Sequence, residues 1–243
     1  MCIIGVMMNQ HPEFPFILAA NRDELLERPT KALHLQEGIF FAGKDKQAGG
    51  TWLGVSLEGR IAALTNVRRP DQDKSRGRSR GELVPAWLSG NDISQLPFNK
   101  YSGFNLLYGT KDQLHYTTNQ PAERAVLNEG IYTLSNADLH TAWPKTTFLK
   151  QKLKDSIHLQ RDELVETLLH ALSKSDPWPE KMLPDTGVGM ELEKKLSPLN
   201  IRMDHYGSRC SSILLIDHQN NVYFKERQLQ DPVFDTDIHF RIN

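Results

Sequence analysis

The hydrophobic pattern of this chain changes period twice, and this change limits the architectures that it can adopt. Short apolar segments between turn residues predict an early set of strands, with a single helix near 81–89. From Pro144 the apolar residues recur at helical spacing and predict two successive helices. Strands return at 211–216 and 222–226. Strands at both ends around two central helices predict layered sheets covered by helices, in one domain over residues 1–243. The early strands are predicted at 2–8, 15–20, 38–42, 51–57, 60–66, 103–108, 113–118, 123–127 and 131–134.

Composition is that of an ordinary globular protein, with 39% hydrophobic and 24% charged residues. A net charge of −1 gives no overall attraction to nucleic acid or to an anionic membrane. The two cysteines do not form a disulfide framework. The sequence has no signal-peptide pattern and no apolar run near the ~18 residues that a membrane-spanning helix needs. We therefore expect a soluble cytoplasmic protein, whose oligomeric state the sequence does not indicate.

Cys2 opens the first apolar run, 2–8. Cysteine is small enough for the initiator Met1 to be removed, which would leave a thiol and a free α-amine on one residue. The α-amine titrates at about pH 8 and the thiol at about 8.5, so together they make a nucleophile with its own base. The alternative is a small buried residue near a chain end, because free cysteines are often buried.

Four polar residues, 21–24, follow the predicted strand 15–20. They fit the capping box of a helix that starts there. If the first two strands pair antiparallel, however, Asn21 and Asp23 lie beside Cys2. A carboxylate at that point can hold the α-ammonium group, and Arg22 can favour the thiolate.

Further polar residues stand at the ends of predicted strands. Asn66 and Asn136 carry uncharged donors suited to an oxyanion hole, and each also suits a turn or cap. Arg209 precedes a late strand and could bind an anion or lie at the surface. Arg68 and Arg80 bound a basic run that predicts either a clamp for phosphate or carboxylate or a solvated loop. The run has little aromatic content, which argues against single-stranded nucleic acid as a partner.

No metal site is predicted, because the nine histidines are scattered without ligand spacing. The sequence also lacks the motif for covalent haem attachment. A single axial ligand has no spacing signature, so non-covalent haem remains open as a ligand.

An ordered set of short motifs runs through nearly the whole chain. Each motif is weak alone, but the set in this order is specific. The motifs are Met1-Cys2-Ile3-Ile4, Asn21-Arg22-Asp23-Glu24, Arg28-Pro29, Gly49-Gly50-Thr51-Trp52-Leu53-Gly54, Thr65-Asn66, Ser79-Arg80-Gly81-Glu82-Leu83, Leu134-Ser135-Asn136, Trp143-Pro144-Lys145, Pro184-Asp185-Thr186-Gly187 and Tyr206-Gly207-Ser208-Arg209. With them the chain resembles the NRDE family, also called the Transport and Golgi Organization 2 family.

This resemblance implies an α+β fold, the αββα four-layer sandwich of the N-terminal-nucleophile (Ntn) hydrolases. The family is similar there to the cysteine-type penicillin acylases and bile-salt hydrolases. In those enzymes an N-terminal cysteine attacks an amide, an aspartate orients the amine, an asparagine helps to form the oxyanion hole and a late arginine completes the site. The resemblance thus assigns catalytic roles to Cys2, Asp23, Asn136 and Arg209.

One departure weakens a direct transfer of hydrolase activity. Those hydrolases carry an arginine three residues before the aspartate, where this chain has Ala20. Its Arg22 is instead adjacent to Asp23, and adjacent strand residues face opposite ways. This alternation argues against Arg22 serving the nucleophile.

Two classes of function therefore stay open. The first is a cysteine amidohydrolase or thioesterase that acts on a small acyl substrate. The second is a non-enzymatic carrier in the same pocket for haem, since family members are linked to intracellular haem trafficking, or for an acyl-CoA. Neither function requires a resident cofactor. We expect the contacts to the small molecule to come from Asn21, Arg22, Asn66, Arg68 and Arg80.

Overall fold

The computed structural model describes residues 2–69 and 78–243 of the chain. Within them, the strands are β1 Cys2–Met8, β2 Phe16–Leu25, β3 Thr30–Gln36, β4 Phe40–Asp45, β5 Leu53–Ser56, β6 Ile61–Asn66, β7 Phe104–Gly109, β8 Leu114–Asn119, β9 Ala122–Leu127, β10 Gly130–Leu134, β11 Tyr206–Ile216, β12 Asn221–Gln228 and β13 Phe234–Arg241. The α-helices are α1 Leu83–Leu88, α2 Pro144–Asp155, α3 Arg161–Leu172 and α4 Met190–Leu196.

The strands form two antiparallel sheets. The first sheet has the order β10-β1-β2-β11-β12-β13, and the second has the order β3-β4-β5-β6-β7-β8-β9. In the first sheet β1 pairs antiparallel with β2, which is the condition under which residues 21–23 were expected beside Cys2, and β11 pairs with the other edge of β2. This order places the beginning of the chain two strands away from a strand that starts at Tyr206.

The sheets pack face to face and helices cover their outer faces. Leu18 of the first sheet and Val55 of the second belong to the apolar core between the sheets. Ile17 packs on the opposite face of the first sheet with Leu168 of α3. Leu83 of α1 belongs to a third cluster on the outer face of the second sheet. The layers therefore follow the order α, β, β, α, which confirms the predicted four-layer sandwich.

Strand β1 is apolar throughout because it is buried between two layers. Ile4 belongs to the core between the sheets, while Ile3 belongs to the core under the helices. Gly5 allows α2 to lie close to the sheet: a Cβ added there would be 2.7 Å from Leu153 Cδ1 and 2.9 Å from Leu149 Cδ2. The second residue of the chain is thus held at the end of a rigid strand.

Strand β2 runs further than the sequence predicted. The predicted strand ended at residue 20, with a helix cap after it, whereas β2 continues through Phe16–Leu25. Cys2 and Cys210 pair with Arg22 from its two sides, and Ser211 pairs with Asn21. Pairing on both edges satisfies the backbone of these polar residues, which outweighs the local capping signal.

Three elements were not predicted from the sequence, and all of them bury few side chains. β3 and β13 are edge strands of their sheets, and only one residue of β3 is buried. Helix α4 buries Glu193 and Leu196 alone. These segments therefore lack the buried apolar runs that mark the other strands and helices in the sequence.

Candidate active site

Cys2 lies at the start of β1 and lines a cavity of about 350 Å³ whose walls come from both sheets. The side chain is 8% exposed. The Ser135 hydroxyl donates to the Cys2 carbonyl oxygen over 3.0 Å, which ties the start of β1 to the residue that follows β10. The thiol is therefore buried but still borders a space that a small molecule could occupy.

Arg22 is the cross-strand partner of Cys2 and lies on the same face of the sheet, towards the second sheet. Its guanidinium stands 4.3 Å from the centre of the Trp52 ring and 3.5 Å from the Asp45 carboxylate, and it donates to Thr30 Oγ1 over 3.2 Å. The expectation that Arg22 faces away from the nucleophile is therefore wrong. Arg22 and Asp23 do face opposite ways, but Arg22 is the one that shares the face of Cys2.

Asp23 faces the helical layer, and its backbone reaches back to the nucleophile. Ser208 Oγ donates to Asp23 Oδ1 over 2.5 Å, while the backbone N–H of Asp23 lowers the pKa of the Cys2 thiol. Burial raises the pKa of Asp23, against the lowering effect of the nearby Lys145 ammonium and the Ser208 hydroxyl. The carboxyl group is thus held beside Cys2 with its orientation fixed by β11.

Opposing effects set the pKa of Cys2. Burial raises the pKa of the thiol, and the charge of Asp23 raises it further. The Asp23 N–H and the Arg22 guanidinium lower it, because both stabilise a thiolate. The net direction is upward, so the site holds a protonated thiol that needs a base to become a nucleophile.

The two asparagines predicted for this region take different positions. Asn66, at the end of β6, lines the cavity with Cys2. Asn136 is buried behind it, and its Nδ2 donates to the Asn66 carbonyl oxygen over 2.9 Å. Asn136 Oδ1 lies 3.1 Å from Ser135 Oγ. Asn136 therefore fixes the end of β6, and Asn66 is the amide that borders the cavity.

Three predicted residues point away from the cavity. The Asn21 amide donates to the carbonyl oxygens of Leu172 and Leu199 over 2.9 and 2.8 Å, and so joins β2 to the helical layer. Arg68 forms a 2.6 Å ion pair with the buried Glu193. Arg209 sits at a bulge in β11 and donates to the carbonyl oxygens of residues 25 and 28 over 2.8 and 2.9 Å. Each of these three side chains binds other parts of the protein. The roles predicted for them at the site, in contact with a ligand or in catalysis, stay predictions.

Several residues that line or support the cavity were not predicted from the sequence to belong to the site. Arg28 pairs with Asp45 over 2.7 Å, and Trp52 carries the Arg22 guanidinium on its ring. Behind Asp23, Lys145 is buried and donates to the Leu196 carbonyl oxygen over 3.1 Å. Burial lowers the pKa of Lys145 to about 8. The motifs around these residues were visible in the sequence, but a single arginine, tryptophan or lysine carries no signal of its role.

The basic run is only partly described. Arg78 and Arg80 line the cavity, whereas Lys74 and Arg76 lie in 70–77, outside the described residues. Met1 also lies outside the described residues. With Arg22 and Arg28, the described lining contains four arginines against the carboxylates of Glu24 and Asp45, since the Asp23 carboxylate faces the helical layer. The wall of the cavity is therefore polar and suited to a ligand that carries negative charge.

Over residues 2–69 and 78–243, His, Cys, Asp and Glu side chains form no group of three or more that could hold a metal ion. No helix in this same part of the chain is long and apolar enough to cross a membrane.

The fold and the position of Cys2 define a class of protein. The conjugated bile acid hydrolase of Clostridium perfringens, in a variant form, superposes with a TM-score of 0.55 at 8% identity, covering 100% of this chain and 97% of that one. A second mutant of that enzyme gives 0.54 at 6% identity, with the same coverage. The architecture is that of the Ntn hydrolases.

Sequence relatives then identify the family. The family profile described as Transport and Golgi organisation 2 matches residues 1–231. The Transport and Golgi organization protein 2 homolog of Bos taurus is 35% identical over 280 residues, covering 100% of this chain and 99% of the relative. The Homo sapiens homolog is 33% identical over 261 residues, covering 95% and 94%. The chain belongs to the Transport and Golgi organisation 2 family, as its ordered motifs predicted.

Proposed function

We propose that this protein is a cysteine hydrolase that cleaves the C–N amide bond, or the thioester bond, of a small acyl substrate. The observation that carries the proposal is the position of Cys2, the second residue of the chain, in a cavity beside Asp23 and Arg22. The fold relative is named as a hydrolase of conjugated bile acids. Its likeness supports the use of this architecture for hydrolysis and does not identify the substrate.

The mechanism begins with removal of Met1, which frees the Cys2 α-amine. This amine takes the thiol proton, and the thiolate attacks the substrate carbonyl carbon to form a tetrahedral oxyanion. Asn66 is the lining amide suited to donate to that oxygen, and Asn136 holds its backbone in place. Asp23 orients the α-ammonium group. The α-ammonium group gives its proton to the leaving nitrogen, or to the leaving sulfur of a thioester, so the C–N or C–S bond breaks and the amine or thiol departs. Water, deprotonated by the free α-amine, then hydrolyses the acyl thioester on Cys2, and the proton returns to the sulfur as the acid is released.

Intact mass and a substrate panel test this function. We expect the mass of the purified protein to lack Met1, and a panel of N-acyl-4-nitroanilides and acyl thioesters to include a substrate that it hydrolyses. Cys2→Ala should lower that rate at least about 100-fold, since it removes the nucleophile. Cys210→Ala is the matched control, because Cys210 is buried outside the cavity lining. Retention of Met1, or hydrolysis by Cys2→Ala at the wild-type rate, would contradict the proposal.

A carrier function in the same cavity is the second candidate. The arginines of the lining favour it, because haem propionates and acyl-CoA phosphates are anions. Cysteine thiolate is also one of the ligands that haem iron takes in proteins. Titration with haem separates the two functions: a carrier saturates at micromolar concentration or below, with a Soret shift that Cys2→Ala changes. A Soret band identical to that of free haem would exclude haem as the molecule carried in the cavity.

A further inference from the structure

Arg80 differs from the other arginines of the cavity. Arg22 and Arg28 share the Asp45 carboxylate, and Arg78 pairs with Glu82 over 2.8 Å. Arg80 also lines the cavity, but it has no carboxylate within 4.0 Å in the described part of the chain. Its Nη1 donates to a backbone carbonyl, that of Gly103, over 2.7 Å. Glu24, which also lines the cavity, acts on Arg80 without forming an ion pair, so Arg80 has no direct carboxylate partner among the described residues.

Arg80 is half-buried, and this position favours an anion beside its charge. Burial lowers the pKa of the Arg80 guanidinium, and the neighbouring Arg28 lowers it further. A charge at Cys2 and the Glu24 carboxylate act in the opposite direction and raise it, so Arg80 and Cys2 interact across the cavity. A half-buried guanidinium whose described direct partner is a backbone carbonyl is stabilised further by a ligand oxygen that carries negative charge.

The backbone around Arg80 is held in a defined position. The Gly81 carbonyl oxygen accepts a hydrogen bond from the Thr51 N–H over 3.1 Å. Gly50 lies so close to this segment that an added Cβ would be 2.4 Å from the Gly81 oxygen. The loop before β5 and the segment before α1 therefore pack backbone to backbone at the cavity wall. This contact, with the Gly103 hydrogen bond, fixes the guanidinium before any ligand arrives.

We propose that Arg80 binds an anionic oxygen group, a carboxylate or a phosphate, on the molecule that Cys2 attacks. The inference rests on the proposed function for the placement of the substrate beside Cys2. It assigns the substrate to a chemical class: an acyl compound with a negatively charged group close enough to the scissile bond for both to fit in this cavity. A guanidinium is suited to this task because its planar donors can bind two oxygens of one anion at once.

The test compares two reagents that alkylate Cys2 and differ in charge. Iodoacetate carries a carboxylate and iodoacetamide is neutral, so the ratio of their rates at Cys2 reports attraction of an anion, while effects on thiol reactivity cancel. Peptide mass spectrometry separates Cys2 from Cys210. We expect Arg80→Gln to lower the iodoacetate-to-iodoacetamide ratio about fivefold or more. Arg60→Gln is the control, because Arg60 lies over the Trp87 ring and outside the cavity lining.

Further arms identify the anion and protect the result against misfolding. Protection of Cys2 from iodoacetamide by inorganic phosphate but not by glutarate would assign a phosphate, and the reverse a carboxylate. Arg80→Lys keeps the charge and should retain part of the ratio even if Arg80→Gln fails to fold. Equal ratios in wild type, Arg80→Lys and any folded Arg80→Gln would overturn the proposal, as would a Cys2 that neither reagent reaches. Alkylation needs no turnover, so failure of the hydrolase proposal would leave this readout intact.

Discussion

At the scale of single residues, the site depends on which neighbour of Cys2 controls its protonation. Arg22 lies opposite Cys2 on the adjacent strand, with its guanidinium held on Trp52 and near Asp45. The sequence supplied both residues and their proximity. The sequence alone could not show on which face of the sheet each residue lies. The register between β1 and β2 decides whether residue 22 or residue 23 shares the cavity with the thiol.

Arg22→Gln should raise the pKa of Cys2, because the guanidinium lowers that pKa in the wild type. The rate of alkylation by neutral iodoacetamide, measured against pH, should show its midpoint at higher pH in the variant. Arg60→Gln should leave the midpoint where it is, since Arg60 does not line the cavity. A midpoint that stays unchanged or falls in Arg22→Gln would show that Arg22 does not act on the thiol.

A second residue prediction concerns Glu226, which is buried at the boundary of β12 and β3. The Leu33 N–H and the Gln228 amide each donate to its Oε1 over 2.7 Å. Burial nevertheless raises its pKa from 4.5 to about 7, against these donors. As pH rises, the unfolded chain therefore loses this proton first, so stability is full at low pH and falls as pH rises from about 4.5 to 7.

Glu226→Gln removes this pH dependence. The free energy of unfolding of the variant minus that of wild type should be about 2 kcal/mol larger at about pH 8 than at about pH 5, because only wild type loses stability over this range. Urea unfolding at the two pH values measures the difference. Glu58→Gln, a substitution at an exposed surface carboxylate, is the matched control and should show no such change. A Glu226→Gln effect of equal size at both pH values would mean that the carboxyl group titrates normally.

At the scale of elements, the sequence predicted those that bury a regular apolar face. Strands β1, β5 and β6 and helices α2 and α3 appear close to their predicted positions. The edge strands β3 and β13 and the short α4 escaped, because few of their side chains reach the core. The same limit applies to the site: the bulge between Ser208 and Cys210 turns Arg209 away from the cavity, and a bulge leaves no mark in the sequence.

Close packing between β1 and α2 gives a prediction at this scale. Gly5→Ala places a methyl group 2.7 Å from Leu153 Cδ1 in a fully packed layer, so it should destabilise the fold by about 1–3 kcal/mol. Gly81→Ala is the matched control, because its added Cβ meets atoms no closer than 3.6 Å. Urea unfolding of both variants measures the difference. Equal stability of Gly5→Ala and wild type would show that α2 can shift without cost.

At the scale of the whole molecule, sheet order assembles the site from distant parts of the chain. β2 lies between β1 and β11, so Cys2, Asp23 and Ser208 meet although they are far apart in sequence. No local pattern predicts this order. The ordered family motifs implied the αββα architecture, which the structure confirms, but not the order of the strands within each sheet. The residues that line the cavity could not be predicted from the sequence, since Arg28, Asp45 and Trp52 come together only when the second sheet packs on the first.

The same sheet order separates the two cysteines. Cys2 and Cys210 pair with Arg22 from opposite sides, so their backbones lie two strand spacings, about 9.6 Å, apart. A disulfide requires Cα atoms within about 7 Å, and the strand between them cannot move aside without opening the sheet. Treatment with diamide should therefore leave both thiols of the monomer unlinked, as counted by alkylation after unfolding and by intact mass. Formation of an intramolecular disulfide in the folded protein would contradict the β1-β2-β11 order, on which the meeting of Cys2, Asp23 and Ser208 depends.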